Sequence, residues 1–215
     1  MKLCQSYYEY ILNNNYAYLC PTMIFYGSNI YDSNSSDLDV CILVNNISEK
    51  EKKDIILQTI RYHEENGLKL DEEVPYENKL IYTIFEVKKI LSSNPFKKNG
   101  KYFISDIKKD NEFLSSKEMK VRLLLNILTT DHLVIGKNIN QIKEFEELAW
   151  KIILESIIGF NNLKELTVEN ILYLMYRNQY SGAEGEYYLG YKKNNINKEI
   201  YLKNKIQEYL EKYFY

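Results

Sequence analysis

Asp37-Leu38-Asp39-Val40 alternates an acid with an apolar residue and runs directly into Cys41-Ile42-Leu43-Val44. Successive side chains of a strand point to opposite faces, so this period of two predicts a strand over residues 38–44, with Leu38 and Val40 toward a core and both carboxylates together on the other face. A second apolar run, residues 22–26, predicts another strand that is broken by Gly27-Ser28. The Asn- and Ser-rich stretch between them, residues 29–36, reads as a loop or a very short helix. These two runs demand a sheet, and a sheet needs further strands and covering helices.

The rest of the chain supplies both. Apolar and aromatic spacing over residues 7–18 predicts a first helix, stopped by Pro21, which holds Cys20 in extended conformations. Ser48 and Glu51 form a capping-box pattern, and Ile55, Ile56 and Ile60 give the stripe of a helix that ends near Asn66-Gly67. Leu68, Leu70 and Val74 suggest a third strand and residues 80–87 a fourth, with Pro75 marking the break. Residues 116–130, 139–158, 167–180 and 198–214 carry apolar positions at three- and four-residue spacing, the mark of helices. The expected fold class is α+β: a small mixed sheet with flanking helices over residues 1–110, then a helical subdomain over 111–215, with the substrate cleft between them.

Composition narrows the partners. With 215 residues and 45% hydrophobic content the chain can bury a core. A net charge of -2 offers no global attraction to nucleic acid or to an anionic membrane, so neither is a favoured partner. Cys4, Cys20 and Cys41 lack CxxC spacing, which argues against a disulfide framework or a zinc site. No basic-then-apolar leader and no run of roughly 18 apolar residues occurs, so a cytoplasmic location without a membrane partner is expected. The 21 tyrosines are spread along the whole chain and read as a compositional bias rather than a base-stacking platform.

Two parallel acids repel. At about 4 Å and an effective dielectric of about 20 the pair costs on the order of 4 kcal/mol before screening. No Lys or Arg lies between Tyr26 and Asn46, which leaves a divalent metal as the simplest partner, and magnesium favours a few carboxylates plus phosphate oxygens. A two-metal site needs a third acid from a neighbouring strand, for which Asp71 is preferred and Glu73 is the alternative. Gly27 would let the backbone approach a phosphate, and the Ser28 hydroxyl could donate to its oxygens.

This order of elements, Gly27-Ser28, then Asp37-Leu38-Asp39, then an acid on the next strand, resembles the DNA polymerase β-like nucleotidyltransferase superfamily. Ser36-Asp37-Leu38-Asp39-Val40-Cys41 looks like the Ser-Asp-Leu-Asp-Val-Cys of terminal uridylyl and poly(A) polymerases, and Lys69-Leu70-Asp71 is similar to their third-acid strand. The likeness covers roughly residues 22–90. In length and helical second half the chain is closer to small bacterial members, including antibiotic and toxin nucleotidyltransferases. The resemblance implies a mixed-sheet palm that binds an NTP co-substrate and two Mg²⁺. Asp37, Asp39 and Asp71 would be the metal-binding and catalytic acids, with Asp71 serving the nucleophile, and Gly27 and Ser28 would hold the nucleotide. The reaction implied is transfer of a nucleoside monophosphate to a hydroxyl acceptor, a small molecule, with release of pyrophosphate. Transfer to tRNA or a protein side chain, and a nucleotide-binding module without catalysis, are the alternatives. Two features are individual to this chain: the Ser28-to-Asp37 gap is shorter than is common in the family, and Asp32 stands where many members have glycine.

Outside the motif, residues 180–191 concentrate glycines around Glu184 and Glu186, a helix connection that could also cover a cleft. Asp131 and His132 fall at a helix terminus, with acceptor binding as the sharper reading. Lys79 is expected to form a solvated pair with neighbouring acids, phosphate contact being the alternative. Arg122 and Arg177 are candidates for phosphate binding. His63, among charged neighbours, is expected at the surface.

Overall fold

The computed structural model describes residues 2–27, 30, 36–70, 76–102, 116–177 and 196–215. The chain divides into two compact units, Met1–Lys88 with His132–Ile142, and Lys89–Asp131 with Lys143–Tyr215. It is a mixed α+β chain. Its strands are β1 (Thr22–Tyr26), β2 (Asp39–Val44), β3 (Ile81–Thr83), the short pair β4 (Lys97–Lys98) and β5 (Lys101–Tyr102), and β6 (Leu133–Ile135).

The first unit is built on a four-stranded mixed sheet in the order β3-β2-β1-β6. β1 runs antiparallel to both β2 and β6, whereas β2 and β3 are parallel. Both predicted central strands form. Val40 pairs with Phe25 and Asp39 with Tyr26, so the end of β1 lies against the head of β2. Leu38, Val40, Ile42 and Val44 pack with Met23 and Phe25 into a cluster that contains Cys4, Tyr7 and Ile11 of helix α1 (Lys2–Ile11) and Ile55 and Tyr62 of helix α2 (Glu49–Glu65). Cys41 and Leu43, on the opposite face, are also fully buried. A sheet covered on both faces reads as continuous apolar sequence, as these strands do.

Helix α2 starts where the capping box predicts. The Glu51 backbone N–H donates to Ser48 Oγ at 3.2 Å, and the Ser48 backbone N–H donates to the Glu51 carboxylate at 2.7 Å. Replacing Ser48 by alanine is expected to lower stability by about 1 kcal/mol in a denaturant titration, the usual cost of losing an N-cap. The Ser48 and Tyr18 hydroxyls hold the Glu51 carboxyl down to about 2. Because that value lies below the ordinary carboxylate range, its stabilisation is fully present above that range and is lost as the pH falls through about 2.

Several boundaries differ from expectation. The first helix spans Lys2–Ile11 and gives way to irregular turns over Leu12–Tyr16 and Ala17–Leu19. The Asn13-Asn14-Asn15 run explains this: Asn14 Nδ2 donates to the Tyr10 carbonyl at 2.8 Å, and Asn15 adopts φ 70°, a left-handed conformation that asparagine tolerates. The expected fourth strand stops at Thr83, and residues 84–91 form helix α4 (Ile84–Leu91). A second capping box turns the chain there: the Thr83 N–H donates to Glu86 at 2.7 Å, and the Glu86 N–H donates to Thr83 Oγ1 at 3.1 Å. Residues 68–70 are not in a strand.

The second unit is mainly helical, with helices Ser116–Thr129, Val168–Arg177 and Ile196–Tyr213 and most of Ile139–Asn161. Trp150 is fully buried and stacks on Tyr209 at 5.9 Å between ring centroids. Among the described residues, no helix is long and apolar enough to cross a membrane.

Candidate functional site

A cavity of about 820 Å³ opens beside the head of β2. Asp37, Leu38 and Asp39 come to it from β2 and the residues before it, His63 and Glu64 from the last turn of α2, and Leu68 to Leu70 from the segment after that helix. Helix α3 (Tyr76–Lys79) adds Tyr76 and Lys79.

The two carboxylates stand as the alternation predicts. Leu38 and Val40 are 4% and 3% exposed, whereas Asp37 and Asp39 are half-buried and both line the cavity. Gly27 makes room for one of them. Its φ is +79°, and a Cβ built on it would lie 2.2 Å from Asp39 Oδ2. The glycine thus satisfies a left-handed turn and clears the space that the Asp39 carboxylate occupies.

Lys69 donates its backbone N–H to the Ser36 carbonyl at 2.6 Å, and Leu68 donates to the His63 carbonyl at 2.8 Å. The segment immediately before Asp71 in sequence is therefore tied beside the one immediately before Asp37. Lys79 is only 5% exposed, with its Nζ 4.9 Å from the centre of the Tyr76 ring. This corrects the expectation of a solvated lysine. A buried ammonium must be compensated, and the cavity supplies carboxylates and an aromatic face. The fold also brings Lys69 and Lys79 to acids that have no cation near them in sequence. Charge balance at Asp37 and Asp39 is therefore shared with lysines and does not by itself demand a metal.

His63 is 1% exposed, contrary to the expected surface position. Ile55, Thr59, Tyr62 and His63 are the buried residues of α2. Their spacing of four, seven and eight is an inward helical stripe, legible once the helix is drawn from Glu49 rather than judged by the charges beside the histidine.

Asp37 and Asp39 are hard oxygen donors of the kind that bind Mg²⁺ together with phosphate and water oxygens, so the described residues fit part of such a site. Among the described residues, no group of three or more His, Cys, Asp or Glu side chains is placed to hold a metal ion. The third-acid candidates Asp71 and Glu73 lie outside the described residues, as do Ser28, Glu184, Glu186 and the Arg177 side chain. Arg122 and Asp131 belong to the second unit. His132 belongs to the first unit, just before β6, and does not line this cavity. Comparisons with protein-family models, curated proteins and solved structures find no match for this chain.

Proposed function

We propose that the chain is a metal-dependent nucleotidyltransferase that moves a nucleoside monophosphate from an NTP to a hydroxyl acceptor, a small molecule, and releases pyrophosphate. The observation that carries this reading is the pair Asp37 and Asp39, both open to one cavity while their neighbours Leu38 and Val40 pack inward, with Gly27 clearing the space beside Asp39. In this reading the sheet is a nucleotidyltransferase palm. Asp37 and Asp39, with Asp71 as third acid, hold two Mg²⁺. Bound Mg²⁺ would neutralise phosphate charge and favour the attacking oxygen. Gly27 and Ser28 let phosphate approach, and Lys69 and Lys79 add positive charge to the same cavity. The protein's own contribution is positioning and charge compensation rather than covalent chemistry.

Calorimetry with ATP, GTP, CTP and UTP, each with and without Mg²⁺, tests the reading. At least one nucleotide should bind only with Mg²⁺, and the absence of any binding would sink it. The buried Lys79 beside the acids favours a second reading, a nucleotide-binding module that needs no metal. Binding indifferent to Mg²⁺, without turnover, selects that alternative. A screen of small hydroxyl compounds, tRNA and proteins with labelled NTP then identifies the acceptor.

A further inference from the structure

We propose that His63 takes the proton from the acceptor hydroxyl through Nε2, an inference that rests on the nucleotidyl-transfer reading and assigns its proton acceptor. His63 is 1% exposed yet lines the cavity that holds Asp37 and Asp39. Its Nδ1 lies 2.8 Å from the Thr59 carbonyl oxygen. A carbonyl oxygen only accepts, so Nδ1 carries the hydrogen, and the neutral ring keeps its lone pair on Nε2. Tyr76 holds the ring plane from the side, at 6.2 Å between centroids and 66° between planes. The ring is thus fixed in both tautomer and orientation, as a proton acceptor requires.

Nε2 opens to the cavity rather than into sealed core. The Thr59 carbonyl is the hydrogen-bond partner of this ring, at Nδ1. Among the described residues, the sealed side-chain polar atom without a partner is Trp150 Nε1, so an Nε2 without one reaches open space. A backbone carbonyl on one nitrogen and an open lone pair on the other is the arrangement that makes a histidine a base, here in a cavity with two carboxylates to favour the positive ring.

The step balances as follows. The acceptor O–H bond breaks, and its proton goes to Nε2. The oxygen forms a bond to the α-phosphorus of the NTP while the bond from that phosphorus to the bridging oxygen breaks, and the bond pair leaves with pyrophosphate. The resulting imidazolium keeps Nδ1–H on the Thr59 carbonyl and releases the Nε2 proton to solvent.

The test compares wild type, His63→Gln and Asp39→Asn. Glutamine can accept a hydrogen bond but takes no proton at neutral pH. The expected result for His63→Gln is an affinity for the Mg²⁺–NTP complex within about threefold of wild type. Its pyrophosphate release, with water and simple polyols as the hydroxyl source, should fall about 10²- to 10⁴-fold. Unchanged turnover, or affinity and turnover falling together, overturns the role of His63. If Asp39→Asn is inactive while His63→Gln matches wild type, the transferase reading stands and only this inference falls. If wild type binds no NTP, or binds without turnover, both fall. A second measurement does not depend on how the variant folds: the chain has two histidines, His63 and His132, so the ¹⁵N imidazole spectrum of the unsubstituted protein, assigned with His132→Gln, reads the tautomer directly. Protonation at Nδ1 with a bare Nε2 is expected, and the opposite tautomer overturns the proposal.

Discussion

Replacing Asp39 by asparagine is expected to reduce nucleotidyl transfer by more than about 100-fold, beyond the roughly 10- to 100-fold typical of residues that only support metal ligands. The substitution preserves shape. An amide keeps one acceptor oxygen and nearly the same volume, so the Tyr26–Asp39 pairing of β1 with β2 and the packing of Leu38 and Val40 should persist. What disappears is the negative charge in a cavity that already contains Lys69 and Lys79. Mg²⁺-dependent NTP binding should weaken while the circular dichroism spectrum stays that of the wild type. Measured turnover near the wild-type rate would mean that Asp39 neither binds metal nor orients the nucleotide.

The second large effect is expected at Gly27, and Gly67 provides its control. Both residues have positive φ, +79° and +64°, so alanine at either carries the backbone cost of a left-handed conformation, of order 1–2 kcal/mol. They differ in surroundings. A Cβ at Gly67 meets nothing within 4 Å, whereas at Gly27 it falls 2.2 Å from Asp39 Oδ2 and 3.1 Å from its Cγ. The Asp39 carboxylate can escape by rotating, but only by leaving the position it holds at the cavity. Gly27→Ala and Gly67→Ala should therefore lose similar stability by thermal denaturation, while Gly27→Ala alone loses most of its Mg²⁺–NTP affinity. Equal nucleotide binding by the two variants would separate Gly27 from the site.

The acids themselves were legible because their signal is local. Alternation over Asp37 to Val40 is a property of four consecutive residues, and the burial of Leu38 and Val40 against half-buried Asp37 and Asp39 follows from the pleat of a strand. The Ser48–Glu51 box was equally readable, for the same reason. The Thr83–Glu86 box carries the same local signature, yet the apolar run from Leu80 to Val87 masks it, because short apolar stretches suit strand and helix alike.

The walls of the cavity follow a different logic. His63 looks exposed beside Arg61, Glu64 and Glu65, and is buried because the stripe of α2, not its immediate neighbours, decides which side faces inward. Lys79 lies 40 residues beyond Asp39 in sequence, the difference of their numbers, and shares a cavity with it because β3 pairs with β2 and draws α3 along. Leu133–Ile135 joins the far edge of the sheet with only three residues, too few to show a period. By itself, the sequence determined the central strands, the helical stripes and the face on which the carboxylates stand, since each depends on backbone periodicity within a few residues. Only the tertiary structure decided which cations and which imidazole meet those carboxylates, because the free energy that places them comes from burying apolar surface between segments far apart in the chain.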